Sequence, residues 1–304
     1  MDNNKIMIVG TGNVGASIAF AIMNQRTAVN EIILTDIIAK DAEGEAMDLR
    51  DALAVAPSYV KISNGTYKDA RDCDVVIITA GAAQKPGETR MELLKKNVNI
   101  LKGMIEQIMD SGFNGIFLIV TNPMDVLTYY TLKFSGLPSD KVIGSGTVLD
   151  SARLRARIAS YLHVNPKSVH AYQIGEHGDT EVSLWSLADI GGQPVSKLLA
   201  KDLRNDISKF VTNEAYDIID KKGATYYGIA TCVVDILNCI FNDELRVLPV
   251  SSYDHFSDTS FGFPSVVGRS GIIRRFDLKI SEHEGVELQK SINALKKAIS
   301  SVKY

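Results

Sequence analysis

The sequence predicts an α/β protein in two parts, a doubly wound parallel sheet in residues 1–146 and an α+β domain in residues 147–304. Three observations carry this prediction. Short apolar runs alternate with helical segments as far as Ile143, the pattern of strands buried on both faces of a parallel sheet. The spacing G-x-G-x-x-G follows the first of those runs. After Asp150 the alternation gives way to long helices and paired strands.

Ile6, Met7, Ile8 and Val9 form the first strand, which ends at Gly10, Gly12 and Gly15. The first glycine permits a tight turn and the second lets a pyrophosphate approach the backbone. The third lets the next helix pack close to the strand. That helix, over 14–26, aims its N-terminal N–H groups and positive dipole end at the phosphate position. A second strand over 31–35 delivers Asp36, whose carboxylate suits both ribose hydroxyls of NAD and repels the 2′-phosphate of NADP. Strand, glycines, helix, strand and acid in this order predict a Rossmann domain with NAD as its cofactor.

The chain continues with a helix over 42–53, a short strand over 60–62 and a buried strand over 75–79. The last of these ends in Ala80-Gly81-Ala82, and strand ends of this kind form the ligand crevice of a doubly wound sheet. Residues 84–90, QKPGETR, read as a polar loop able to move. Leu94, Val98, Leu101, Ile105, Ile108 and Met109 then recur at helical spacing, in a helix that stops near Gly112. A strand over 116–121, ended by Asn122-Pro123, and another over 141–143 complete the sheet. Beyond a boundary near 144–149 come a basic amphipathic helix over 151–162 and a strand over 170–174 that leads into Gly175-Glu176-His177-Gly178-Asp179. Helices over 201–222 and 225–237, antiparallel strands over 246–253 and 265–273, and a helix over 281–301 follow. No repeat or linker separates the halves, so they should pack together around a crevice.

With 304 residues, 45% hydrophobic and 23% charged, the chain can bury a sizeable core. Its net charge of −3 gives no reason to expect nucleic acid or an anionic membrane surface as partner. Cys73, Cys232 and Cys239 make neither a C-x-x-C pair nor a disulfide framework, and read as reduced thiols. The first strand begins at once, leaving no room for a targeting peptide, and no apolar run reaches the ~20 residues of a membrane span. A soluble, cytoplasmic protein is expected.

A nicotinamide enzyme needs a group that gives or takes a proton as hydride moves, and histidine suits this near neutral pH. The candidates are His163, His170, His177, His255 and His283. His177 sits in a polar, glycine-bounded turn beside Glu176 and Asp179, a setting that equally describes a solvated loop histidine. No second histidine or cysteine stands at ligand spacing, so no metal site is expected. Asp150 and Arg153 lie about one helical turn apart, as in an ordinary i, i+3 ion pair. Arg90, on its loop, reads alone as a solvated charge.

Taken together, GTGNVGAS, TAGAAQKPGETR, VTNPMDVLT, KVIGSGTVLDSARLR, HAYQIGEHGDT and KKGATYYGIA resemble the L-lactate dehydrogenases of the lactate/malate dehydrogenase superfamily. The resemblance covers essentially the whole chain. It implies an NAD-dependent oxidoreductase of fermentation that reversibly reduces pyruvate to L-lactate. His177 would be the acid/base, and Asp150 would accept its other ring N–H and stabilise the imidazolium. Arg153 would hold the substrate carboxylate through a bidentate pair. Arg90 would close over the site with its loop and polarise the carbonyl. Asn122 would bond the substrate oxygen beside the nicotinamide, and Thr225 would line the pocket. Asn13, Val14, Asp36, Tyr67, Gly81, Ala82, Val120, Asn122 and Ser145 join the glycines at NAD-contacting positions. Asp41 departs from the family's frequent lysine there, which affects one charged NAD contact.

Gln84 would select the substrate. Malate dehydrogenases of the superfamily carry arginine at that place, to pair with the second carboxylate of oxaloacetate. With glutamine, that carboxylate would enter a closed site without a counter-charge. Malate or another 2-hydroxy acid is the alternative substrate, and a non-catalytic NAD-binding protein is the alternative class. The resemblance further implies a homotetramer with twofold interfaces. It also implies activation by fructose 1,6-bisphosphate, whose phosphates would be held by Arg155 and His170. An N-terminal arm like that of vertebrate relatives is missing, as in a bacterial-type enzyme.

Overall fold

The computed structural model describes residues 4–82, 87 and 89–302, with residue 90 described in its backbone only. Gln84 and the side chain of Arg90 lie outside the described residues. In the first half the elements run β1 (Lys5–Val9), α1 (Asn13–Asn24), β2 (Glu31–Thr35), α2 (Ala39–Ala52) and β3 (Lys61–Asn64). They continue with β4 (Val75–Ile78), α3 (Arg90–Asp110), β5 (Ile116–Ile119), α4 (Met124–Ser135) and β6 (Val142–Gly144). The second half opens with α5 (Val148–Leu162), then short strands β7 (Val169–His170), β8 (Gln173–Ile174), β9 (Val182–Ser183), β10 (Asp189–Ile190) and β11 (Gln193–Pro194). After these come α6 (Val195–Leu198), α7 (Lys201–Lys222), α8 (Tyr227–Phe241), β12 (Arg246–Leu248) and β13 (Ser251–Asp254). The chain ends with β14 (Thr259–Gly262), β15 (Ser265–Gly268), β16 (Gly271–Arg275) and α9 (Glu282–Ser300).

One large sheet organises the molecule, in the order β14-β13-β6-β5-β4-β1-β2-β3. The strands from β3 to β6 are parallel, in the doubly wound order 3-2-1-4-5-6. Successive side chains of β1 face opposite layers, as the pleat requires. Ile6 and Ile8 join Ile18 and Ile22 of α1 and Val233 and Leu237 of α8. Met7 and Val9 join Val98 and Ile105 of α3, Tyr130 of α4 and Leu295 of α9. Both faces are therefore covered, which is why these strands read as unbroken apolar runs. Helices α8 and α9 belong to the second half, yet they cap the sheet of the first. Among the described residues, no helix is long and apolar enough to cross a membrane.

Three features differ from the sequence reading. Helix α4 was not foreseen. Its residues Met124–Thr131 are all buried, so they show no amphipathic period, and valine, threonine and tyrosine favour strands. Burial is tolerated because Thr128 and Thr131 donate their hydroxyls to the carbonyls of Met124 and Leu127, each at 2.8 Å. The strands expected over 170–174 and 246–253 are each split between two sheets, the second of them at Pro249. The segment 265–273 is a hairpin, β15 and β16, turning at Arg269-Ser270. The antiparallel pair β13–β14 extends the main sheet through Ser251 opposite Gly144.

Candidate active site

The cofactor cradle lies at the carboxyl ends of β1, β2, β4 and β5. Each glycine of the turn faces a different constraint. A Cβ on Gly10, whose φ is +98°, would sit 2.6 Å from the Ala80 nitrogen, and one on Gly15 would collide with the Gly10 carbonyl oxygen. One on Gly12 would meet nothing within 4 Å. Only at Gly12 is there open space, and it opens at the N-terminus of α1, where Asn13 and Val14 begin the helix without a side-chain cap. Uncapped N–H groups facing open space fit a pyrophosphate.

Asp36, at the end of β2, accepts the Thr11 N–H at 2.7 Å and the Ile38 N–H at 3.0 Å, so its carboxylate is fixed beside the glycine turn. Tyr67 is half-buried nearby, and burial followed by the Asp36 charge raises its pKa. Gly81 and Ala82 follow β4. Buried Asn97 of α3 takes the Ala82 N–H at 2.8 Å and gives its amide N–H to the Asn122 carbonyl at 3.3 Å. It thereby ties the two strand-end turns together. Val120 and Ser145 are buried at the ends of β5 and β6, while Asn122 is exposed at its turn. Thr225 lies between α7 and α8.

The chemistry-bearing residues meet at the start of α5. Asp150 is buried, and its two oxygens serve two partners: His177 Nδ1 at 2.6 Å and Arg153 Nη1 at 2.9 Å. The Asp150 charge raises the His177 pKa, against the opposing effect of burial. Burial acts upward on Asp150 itself. The His177 charge and hydrogen bond, with Arg153 behind them, overcome that and hold the carboxyl below its usual range. Arg153 also pairs through Nε with Glu214 of α7 at 3.5 Å. Its Nη2 has no protein partner among the described residues. The site thus offers an imidazolium whose Nε2 is not taken by Asp150, beside a guanidinium with a free donor.

Three further acids were missed in the sequence, where nothing distinguishes them from surface carboxylates. Glu181 precedes β9 and accepts from Gln173 Nε2 at 3.0 Å and Thr212 Oγ1 at 2.9 Å. Burial, then the Asp150 charge, push it up to about 8. Glu214 meets Arg153, and Asp125 accepts the His177 backbone N–H at 2.7 Å. Arg155 and His170 line a separate cavity of about 280 Å³ with Tyr172 and Arg246.

Two family models match end to end. The lactate/malate dehydrogenase NAD binding domain covers residues 4–144, and the lactate/malate dehydrogenase alpha/beta C-terminal domain covers residues 147–304. The chain belongs to the lactate/malate dehydrogenase family. NAD is accordingly the cofactor of the cradle described above. The chain is 46% identical over 309 residues to L-lactate dehydrogenase 1 of Bacillus cereus (strain ATCC 10987 / NRS 248), covering 98% of each. It is 46% identical over 307 residues to L-lactate dehydrogenase of Geobacillus sp. (strain WCH70), covering 98% of this chain and 96% of that one. Among solved structures it is similar to the ligand-bound minor L-lactate dehydrogenase of Enterococcus mundtii, with a TM-score of 0.96, 43% identity and coverage of 100% and 99%. It is also similar to MGS-M5, a lactate dehydrogenase from a Medee basin deep-sea metagenome library, with a TM-score of 0.97, 45% identity and full coverage of both chains. The lactate/malate dehydrogenase fold therefore extends over the whole chain, and the His177, Asp150 and Arg153 cluster lies where its two halves meet.

Proposed function

We propose that the protein is an NAD-dependent L-lactate dehydrogenase, which reduces pyruvate to L-lactate and runs the reverse reaction. The observation that carries the reading is the shared carboxylate of Asp150, bonded at once to His177 and Arg153. Bound NADH supplies the hydride. His177, charged and oriented by Asp150, gives its Nε2 proton to the carbonyl oxygen as the alcohol forms. Arg153 turns its free donor to the substrate carboxylate, and Glu214 is the weaker partner that the substrate displaces. Asn122 bonds the same carbonyl oxygen, Thr225 lines the methyl side, and Arg90 closes over them to exclude water. The residues assigned to NAD are Gly10, Gly12, Asn13, Val14, Gly15, Asp36, Tyr67, Gly81, Ala82, Val120, Asn122 and Ser145.

Gln84 favours a monocarboxylate over oxaloacetate, because it gives a second carboxylate no counter-charge. We infer further that fructose 1,6-bisphosphate activates the enzyme through Arg155 and His170 in a homotetramer. Support comes from their position on one cavity and from exposed apolar side chains, such as Met47, Val55 and Tyr59, available to a twofold interface. The cytoplasm suits the three buried free thiols. Following NADH absorbance with pyruvate and then oxaloacetate tests the reading. Pyruvate should be consumed with the higher kcat/KM; preference for oxaloacetate makes the protein a malate dehydrogenase, and inertness toward both removes catalysis.

A further inference from the structure

Three contacts to other elements hold Glu176 and His177 in their loop. Ser291 of α9 takes the Glu176 N–H at 2.8 Å, Asp150 of α5 takes the imidazole at 2.6 Å, and Asp125 of α4 takes the His177 N–H at 2.7 Å. Asp125 is only 2% exposed. Its other oxygen accepts the Ser251 hydroxyl of β13 at 2.6 Å. A buried carboxylate is costly, and this one sits in the first turn of α4, where the helix dipole and two donors favour its charge. Burial still pushes it up to about 7, with both hydrogen bonds acting downward. A purely structural anchor for one N–H could be a neutral amide or a backbone carbonyl, which carry no such penalty.

Helix α4 begins directly after the Asn122-Pro123 turn, so Asp125 also connects that turn to the histidine loop and to the second-half strand β13. We propose that Asp125 is a positioning residue for the acid/base step, one whose carboxylate sets both the place of His177 and, through its charge, the proton affinity of the imidazole. The inference rests on His177 being the proton donor. The charged and titratable groups involved come from four directions. Asp125 faces His177 and Glu176 on the loop, with Ser251 on β13 as its uncharged partner. His177 faces Asp150 on α5, with Arg153 behind it, Asp125 on α4, and Glu181 ahead of β9.

The experiment is the pH profile of kcat/KM for pyruvate in wild type, Asp125→Asn and Ser251→Ala, using the full chain with NADH. Asparagine keeps an acceptor for the N–H and removes the charge. Its alkaline limb should therefore move to lower pH by roughly half a unit or more, with NADH affinity unchanged. Ser251→Ala keeps the carboxylate but removes a donor, so Asp125 holds its proton to higher pH and the limb should shift the same way by less. If Asp125→Asn does not fold, the serine variant decides. A lower kcat with an unmoved limb in both variants makes Asp125 structural only and overturns the inference alone. If the wild-type profile has no alkaline limb, the assignment of His177 falls, and this inference falls with it.

Discussion

At the residue scale, the proposed chemistry turns on one buried carboxylate, Asp150, serving two cations. His177→Asn, which removes the proposed proton donor, should leave NADH binding intact, because the cradle lies on other strand ends. Turnover of pyruvate should fall by about 10²–10⁴-fold, and steady-state rates near wild type would remove His177 from the mechanism. The raised His177 pKa also fixes the sign of the pH dependence. On the proposed role of His177, pyruvate reduction needs the charged ring and should decline as pH rises through that raised value, while lactate oxidation should increase. The stability contributed by the raised proton affinity of His177 has the same sign: it is fully present below about pH 6.5, the ordinary imidazole value, and is lost as pH rises through the folded value. Asp150, held below its usual range, instead contributes stability that is lost as pH falls through its own folded value. Substrate choice is a second matter of single charges. Gln84→Arg should raise oxaloacetate reduction and depress pyruvate reduction, since it adds a partner for one substrate and strands a cation with the other. An unchanged ratio of the two kcat/KM values would show that selection lies elsewhere. His177, Asp150 and Arg153 were candidates by residue type, and the family resemblance of the motifs around them is what gave them roles. Asp125, Glu181 and Glu214 were not candidates, because only tertiary burial and partners distinguish them from solvated acids.

At the element scale, the β1–α1 turn is the most constrained part of the cradle. Gly15 abuts the Gly10 carbonyl so closely that a methyl group must displace backbone. Gly15→Ala should cost about 1–3 kcal/mol of stability through overpacking and weaken NADH binding by tilting the helix N-terminus. Gly12→Ala, whose methyl group points into open space, should leave the melting temperature near wild type and impair only cofactor binding. Equal thermal losses in the two variants would contradict this division of roles. The G-x-G-x-x-G spacing announced the turn because Gly10 answers a backbone angle, Gly15 a close contact, and Gly12 the open space where a cofactor approaches. Helix α4 gave no such local sign, since both its period and its propensity are overridden by burial on every side.

At the scale of the whole molecule, activation should couple a second, separate cavity to the site. Arg155 and His170 lie on or next to the element that carries Asp150 and Arg153, as α5 runs from Val148 to Leu162. Two such pairs facing across a twofold axis would repel until phosphates neutralise them. Fructose 1,6-bisphosphate should therefore lower the pyruvate concentration giving half-maximal rate. Arg155→Gln should abolish that response and spare basal turnover. Superimposable saturation curves with and without the bisphosphate, at several pH values, would dismiss the site.

The sequence by itself determined the doubly wound half, its cofactor turn, and Asp150, Arg153 and His177 as candidates. The sheet and its turn follow from local signals, since two-sided burial makes apolar runs and a tight turn demands glycine. The three residues gain their roles only from the family resemblance of the motifs around them. Only the tertiary structure decided that β13 and β14 extend the sheet, that α8 and α9 cover the other half's faces, and that Asp125 reaches the loop of His177. Those facts depend on contacts between residues such as Asp125 and Ser251, 126 positions apart. Separation on that scale leaves no periodicity or motif in the chain, because what stabilises it is the exclusion of water from a shared interior.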